Sequence, residues 1–436
     1  MSADRRGRAA RGRSPGQPAI LVTDAARGSA IAFIRSLGRR GWRVIAADSD
    51  PRSPGFRSRY AAERLIYPHP PTAPREFVSV LWEAARDRGI DLVIPITDAA
   101  ILPLSAARHR FEGICKLALP EPGALEAVTN KLETLALAER LQVPVPRTRL
   151  VHTADEAREQ WRDLGWPVVL KPQASRLYRD QSAVEAFTVC YAQSERQLRE
   201  EMLRFEGRCP VLLQEYCRGI GHGLELLMYQ GRPLAAFQHK RLREIPINGG
   251  ASAFRESVPL DPVLYDYGVQ LLEAIRWTGL AMVEFKIGVD GPKLMEINGR
   301  VWGSLPLAVR SGMDFPARLA DLYLNGPPGS QVAADTAYVS GVRVRNLELD
   351  LIWIAQVLYG KPRYPFLAMP GRHRAAAALL GLLNPASRFD ILSLEDPQPG
   401  GAELLQIITK FHRKLSGAPG DRPRAARPRP QGVPLQ

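Results

Sequence analysis

The period with which apolar and polar positions alternate changes several times along this chain, and the changes mark out its elements. Between residues 19 and 95, short apolar runs alternate with amphipathic stretches. Strands are expected at 19–22, 42–47, 65–67 and 91–95. Helices are expected at 30–40 and 77–88, closed by Gly41 and Gly89. This order predicts an α/β unit on a parallel sheet. The first turn, Thr23-Asp24-Ala25-Ala26-Arg27-Gly28, lacks the GxGxxG pattern, so Asp48 is not read as the ribose acid of a dinucleotide site. Further on, a helix at 155–164 precedes an apolar strand that ends in Lys171-Pro172. Another strand covers 211–217. A glycine-rich link, 219–223, leads to a hairpin, 224–228 with 233–237, around Gln230-Gly231-Arg232.

The most informative pattern is at 279–304. Residues 282–289 alternate, Asp290-Gly291-Pro292 is turn chemistry, and 293–298 alternate again. Glu284 and Lys286 therefore share one face of a strand, and Glu296 and Asn298 share one face of its partner. A two-residue Asp-Gly turn would put the carboxylates on opposite faces. A three-residue Asp-Gly-Pro loop, or an equivalent bulge, pairs Val289 with Lys293, Glu284 with Asn298 and Lys286 with Glu296. The odd loop is preferred, because unpaired carboxylates turned into a core are costly. Two carboxylates and an amide oxygen then converge, with Arg300 beyond them, and hard oxygen ligands of this kind suit Mg²⁺ at phosphates. The competing reading is a solvated charged face.

Composition narrows the classes. At 436 residues the chain can bury a large core and is long enough for two or three domains. Half of the +14 formal charge lies in two tails: residues 1–18 carry five Arg and one Asp, and 417–436 carry four Arg and one Asp. The rest is dispersed, as suits anionic small substrates, and no zinc-ligand spacing or aromatic-basic array supports specific nucleic-acid binding. Cys115, Cys190, Cys209 and Cys217 form no CxxC and are expected to be reduced, which favours a cytoplasmic setting. No secretory signal or transmembrane segment is read; the longest apolar run near the C-terminus, 375–383, is too short to span.

The order Glu284-x11-Glu296-x-Asn298-x-Arg300, followed by Val301-Trp302-Gly303-Ser304, resembles the metal-binding strands of the ATP-grasp superfamily, in particular its carbamoyl-phosphate-synthetase-like branch. Two further segments carry the resemblance: Lys131 on a helix before Val143-Pro144-Val145-Pro146-Arg147-Thr148, and Gly165-Trp166-Pro167-Val168-Val169-Leu170-Lys171-Pro172. The likeness implies an α/β chain with a Rossmann-like domain (19–118), a two-lobed α+β ATP-grasp domain (119–330) and a small C-terminal accessory region (331–416), between disordered tails at 1–18 and 417–436.

It also implies roles. Lys131 and Lys171 would hold phosphates, and Glu215, Tyr216 and Cys217 would hold adenine, with the Glu215 carboxylate on its exocyclic amine. His222 or Glu225 would meet the ribose. Glu284, Glu296 and Asn298 would hold Mg²⁺ (or Mn²⁺) beside ATP, and Arg300 and Lys240 would serve catalysis. The implied activity is a carboxylate–amine ligase that makes an acyl-phosphate, with a small-molecule carboxylate and amine as partners and a homodimer as the candidate assembly. The sequence departs from the family at 173–183, which contains no glycine; Ser175, Arg176 and Arg179 stand where backbone N–H groups usually cradle phosphate. That departure keeps open an ATP-binding protein without ligase turnover. The arginine tails keep open, less strongly, a binder of anionic surfaces or nucleic acid.

Overall fold

The computed structural model describes residues 17–173, 176–179, 183–186, 189–247, 249–360, 364, 366 and 368–415. The first unit follows the alternation closely. Strands β1 (Ala19–Val22), β2 (Arg43–Asp48), β3 (Glu63–Ile66), β4 (Leu92–Ile94) and β5 (Lys116–Leu117) form a parallel sheet in the order β3-β2-β1-β4-β5. Its central strands β1 and β4 are wholly buried, because helices cover both faces.

A second, antiparallel sheet is built from β6 (Thr148–Val151) and β7 (Val168–Pro172), and after the paired strands β8 (Arg176–Arg179) and β9 (Ala183–Ala186), from β10 (Cys190–Ala192) and β11 (Val211–Glu215), in the order β10-β7-β11-β6. Alternation divides its faces. Val168, Leu170, Val211 and Leu213 join one core with Leu198, Met202 and Phe205, while Val169 and Lys171 point the other way.

The largest sheet comprises β12 (Ile220–Tyr229), β13 (Arg232–Ile245), β14 (Ala251–Ser257), β15 (Gly279–Gly288), β16 (Gly291–Asn298), β17 (Arg343–Arg345) and β18 (Arg388–Phe389), ordered β16-β15-β12-β13-β14-β17-β18. Two sequence expectations change here. Residues 219–223 are not a loose link: β12 begins at Ile220 and pairs with β13 and β15 through this stretch. The region expected to be accessory lends two strands to the same sheet, because Arg343–Arg345 pairs with β14 and so protects that edge. The arginine tails lie outside the described residues except at 17 and 18.

The hairpin of β15 and β16 brings the carboxylates onto one face by a different route from the one expected. Gly288 pairs with Gly291, which leaves a two-residue turn at Val289-Asp290 instead of an Asp290-Gly291-Pro292 loop. A bulge then takes up Met295, so the register moves by one residue between Phe285↔Leu294 and Glu284↔Glu296. Glu284 therefore faces Glu296, and Asn298 faces Met282; the pairings Glu284–Asn298 and Lys286–Glu296 do not occur.

Candidate active site

The cleft between the second sheet and the large sheet collects the charges. The helix Lys131–Arg140 starts with Asn130 as its cap: the side chain accepts from the Leu132 N–H at 3.1 Å, and its amide donates to Glu133 at 2.7 Å. This end of the helix projects Lys131 toward β7, where Nζ donates to the Pro172 carbonyl at 3.0 Å. Lys171 sits one residue earlier on β7, and its ammonium makes no hydrogen bond or ion pair among the described residues. Burial lowers the pKa of both ammonium groups and Lys131 lowers that of Lys171 further, while Glu296 opposes the shift at each. Two lysines and the hairpin carboxylates thus share one space.

Across that space, the Asn298 amide donates to Glu296 Oε1 at 3.0 Å. Burial works against ionisation of Glu296, but the Asn298 bond together with Lys171, Lys131 and Arg241 outweighs it, and its pKa is lowered. Glu284 behaves oppositely. Burial and the facing Glu296 push its pKa up to about 7, against the attraction of the Arg241 guanidinium. Two carboxylates opposed across a strand pair, one reluctant to ionise, with an amide beside them, form a donor set that suits a hard divalent cation. The fit is chemical: oxygen donors are in place, and Lys171 and Lys131 lie near Glu296 in the same cleft.

Several residues singled out from the sequence sit elsewhere. Lys240 was expected in the catalytic set, but it is on the other face of β13, paired with Glu256 at 2.8 Å. Its neighbour Arg241 holds that place, ion-paired to Glu284 and Glu244 and donating to the Gly250 carbonyl at 3.0 Å. His222 shares the face of Lys240 and lies 3.2 Å from the Gln238 amide. Glu225 cannot meet a ribose as placed: it is fully buried, accepts from Ser304 at 3.0 Å and lies 3.0 Å from His239 Nδ1. Glu215 cannot offer its carboxylate to an exocyclic amine, because Arg147 takes one oxygen at 2.7 Å and Lys293 the other.

Arg300 points to the first unit, where Nε donates to Asp98 at 2.9 Å. Ser175 and residues 180–182 lie outside the described residues, and Arg176–Arg179 pairs antiparallel with Ala183–Ala186 in the stretch where a glycine-free loop was expected. Arg241 and Lys293 are the cleft cations missing from the predicted set. All four cysteines are free, and among the described residues no helix is long and apolar enough to cross a membrane.

Known proteins agree with this architecture. A family model described as ATP-grasp in the biosynthetic pathway with Ter operon matches residues 208–349. The carbamoyl phosphate synthase large chain of Archaeoglobus fulgidus is 20% identical over 349 residues, 77% of this chain but only 29% of that protein. The formate-dependent phosphoribosylglycinamide formyltransferase of Synechococcus sp. is 28% identical over 79% of this chain and 87% of its own. Among solved structures, the ADP complex of an N5-carboxyaminoimidazole ribonucleotide synthetase matches with a TM-score of 0.59 and 14% identity, covering 85% of this chain and 97% of that one. The chain spans less than a third of the synthase it matches and most of the formyltransferase. The family model and the relatives liken this chain to the ATP-grasp superfamily and to its carbamoyl-phosphate-synthase-like branch, and the solved structures share its fold.

Proposed function

We propose that the chain is an ATP-dependent ligase that activates a small carboxylate as an acyl-phosphate for attack by an amine. The observation that carries this reading is the opposition of Glu284 and Glu296, with Asn298, to Lys171 and Lys131 across one cleft. Glu284, Glu296 and Asn298 would hold Mg²⁺, which when bound neutralises charge on the phosphate oxygens of ATP. Lys171, with no competing partner among the described residues, would take a phosphate oxygen as a charge-assisted hydrogen bond. Lys131 would hold another while bonded to the Pro172 carbonyl. Arg241, kept charged between Glu284 and Glu244, would fix the Glu284 carboxylate and screen its repulsion from Glu296. The backbone at 215–217 would read the base. Arg300, reaching Asp98, would serve the boundary with the first unit, where the second substrate must approach.

Catalysis on this reading is positioning and charge stabilisation, and no side-chain nucleophile is required. The test is ADP release from the purified chain with Mg-ATP and a panel of acid–amine pairs. Release that needs both an acid and an amine is expected. Nucleotide binding without release from any pair would make the chain an ATP-binding protein without turnover.

A further inference from the structure

The geometry points to Phe366, positioned by Tyr364, as a wall of the nucleobase site, so that the C-terminal segment beyond the family match completes nucleotide binding. This inference rests on the nucleotide reading above, but not on ligase turnover. On β7, Val169 lies two residues before Lys171 on the same cleft-facing side, which separates their Cα atoms by about 7 Å along the strand. If Lys171 meets phosphate, Val169 sits toward the base end. It also lies beside the end of β11, since its neighbour Val168 pairs with Glu215. The group packed around Val169 is aromatic: Tyr191, paired with it on β10, Tyr216 just after β11, and Tyr364 and Phe366 from the C-terminal segment. Phe366 meets Tyr216 edge-on at 5.2 Å between centroids and Tyr191 at 5.7 Å.

Tyr364 is only 5% exposed, packs on Tyr191 at 5.1 Å, and its hydroxyl lies 3.4 Å from the Tyr191 amide. It is therefore a positioning residue. Phe366 and Tyr216 are only partly covered, and on the opposite sheet Lys286, two residues from Glu284 on the same face, holds its ammonium 5.5 Å from the Tyr216 ring. Aromatic pairs that are partly open at the base end of a phosphate cleft are suited to stacking a nucleobase.

The test compares ATP, adenosine and inorganic tripolyphosphate, each with Mg²⁺, on the full chain and on Phe366→Ala. The variant should lose about tenfold in affinity for ATP and for adenosine alike, with tripolyphosphate unchanged. Phe366→Trp should retain affinity, and its fluorescence should change on adding adenosine. Unchanged ATP and adenosine binding in Phe366→Ala would overturn the inference. So would equal loss of all three ligands, which would make the segment a brace for the lobe, or a silent Phe366→Trp signal. Absence of adenosine binding to the parent chain would also overturn it. Intact adenosine binding without ADP release would sink the ligase reading alone.

Discussion

Glu284 offers the sharpest quantitative test of the metal site. Its carboxyl is pushed up to about 7 from 4.5 by burial and by the facing Glu296. Such a shift means that ionising Glu284 in the folded chain costs about 3 kcal/mol more than in water. A metal ion binds the ionised form, so it must displace the proton wherever pH lies below 7. At pH 6 about nine-tenths of the chains carry that proton, at pH 8 about one-tenth. Apparent affinity for a Mg-nucleotide should therefore rise about tenfold from pH 6 to pH 8 and level off above. The terminal phosphate of the nucleotide itself titrates near pH 6. The comparison is therefore made against Glu284→Gln, in which the contribution of the nucleotide cancels. Calorimetric titration with Mg-ADP at pH 6, 7 and 8 should give a parent-to-variant affinity ratio that grows about tenfold across the range. The sign for stability is opposite: a raised carboxyl pKa favours the metal-free fold below pH 4.5 and is a growing penalty as pH rises through 7. A ratio that stays constant from pH 6 to 8 would refute the placement of Glu284 as a metal ligand whose ionisation limits binding.

Three other outcomes are expected. Glu296→Ala should lower Mg-ATP turnover by more than about a hundredfold, since even outer-shell partners of metals cost up to that much; the melting temperature should scarcely move, because the side chain faces the cleft and not a core. Lys171→Ala should weaken ATP by about 10- to 100-fold while sparing adenosine, as loss of one ionic hydrogen bond to phosphate predicts, and parallel binding titrations would show this. Asp390→Ala should lower the urea midpoint, with a loss of about 3–5 kcal/mol, because Arg255 is 1% exposed and would keep its charge in the interior without its partner.

The parallel sheet of the first unit was legible because Gly41 and Gly89 close helices whose apolar stripes are local, and each strand is a short apolar run. The shared face of Glu284 and Glu296 was legible by another argument: alternation left two registers open, and the cost of turning unpaired carboxylates into a core chose between them. Register was not. The bulge that absorbs Met295, and the one that displaces Leu242 in β13, are tertiary accommodations that leave no mark in a two-residue period. Roles that depend on a distant partner were also hidden. Glu215 is held by Arg147 and Lys293, and Arg300 by Asp98, 202 residues away, and neither engagement can be read from the residue itself. Strand β17 belongs to the large sheet only because Ala251–Ser257 presents an edge for it.

Placing Lys240 in the site and reading 219–223 as a loose link have one cause, which lies in how a single face of the large sheet changes character along its length. Three strands run side by side there in rows. Leu280, Leu227 and Ala235 form one row, and Met282, Glu225 and Phe237 the next; then come Glu284, Gly223 and His239. Moving along the strands, the face passes from core to cleft without changing period. The glycines stand where the face becomes polar, and the reason is space: a Cβ on Gly223 would lie 2.4 Å from the His239 ring, and one on Gly221 would lie 3.0 Å from Arg241 Cδ. Neither adopts the left-handed backbone that calls for glycine in a turn. They are smooth floor over which His239 and Arg241 extend toward Glu225 and Glu284. Burial lowers the His239 pKa and raises that of Glu225, so it disfavours charge on both groups at the boundary. The apolar rows behind them fix the strand positions, and the charged row in front inherits that rigidity. A face that alternates regularly throughout can therefore be core at one end and binding surface at the other, and only the cross-strand neighbours tell which.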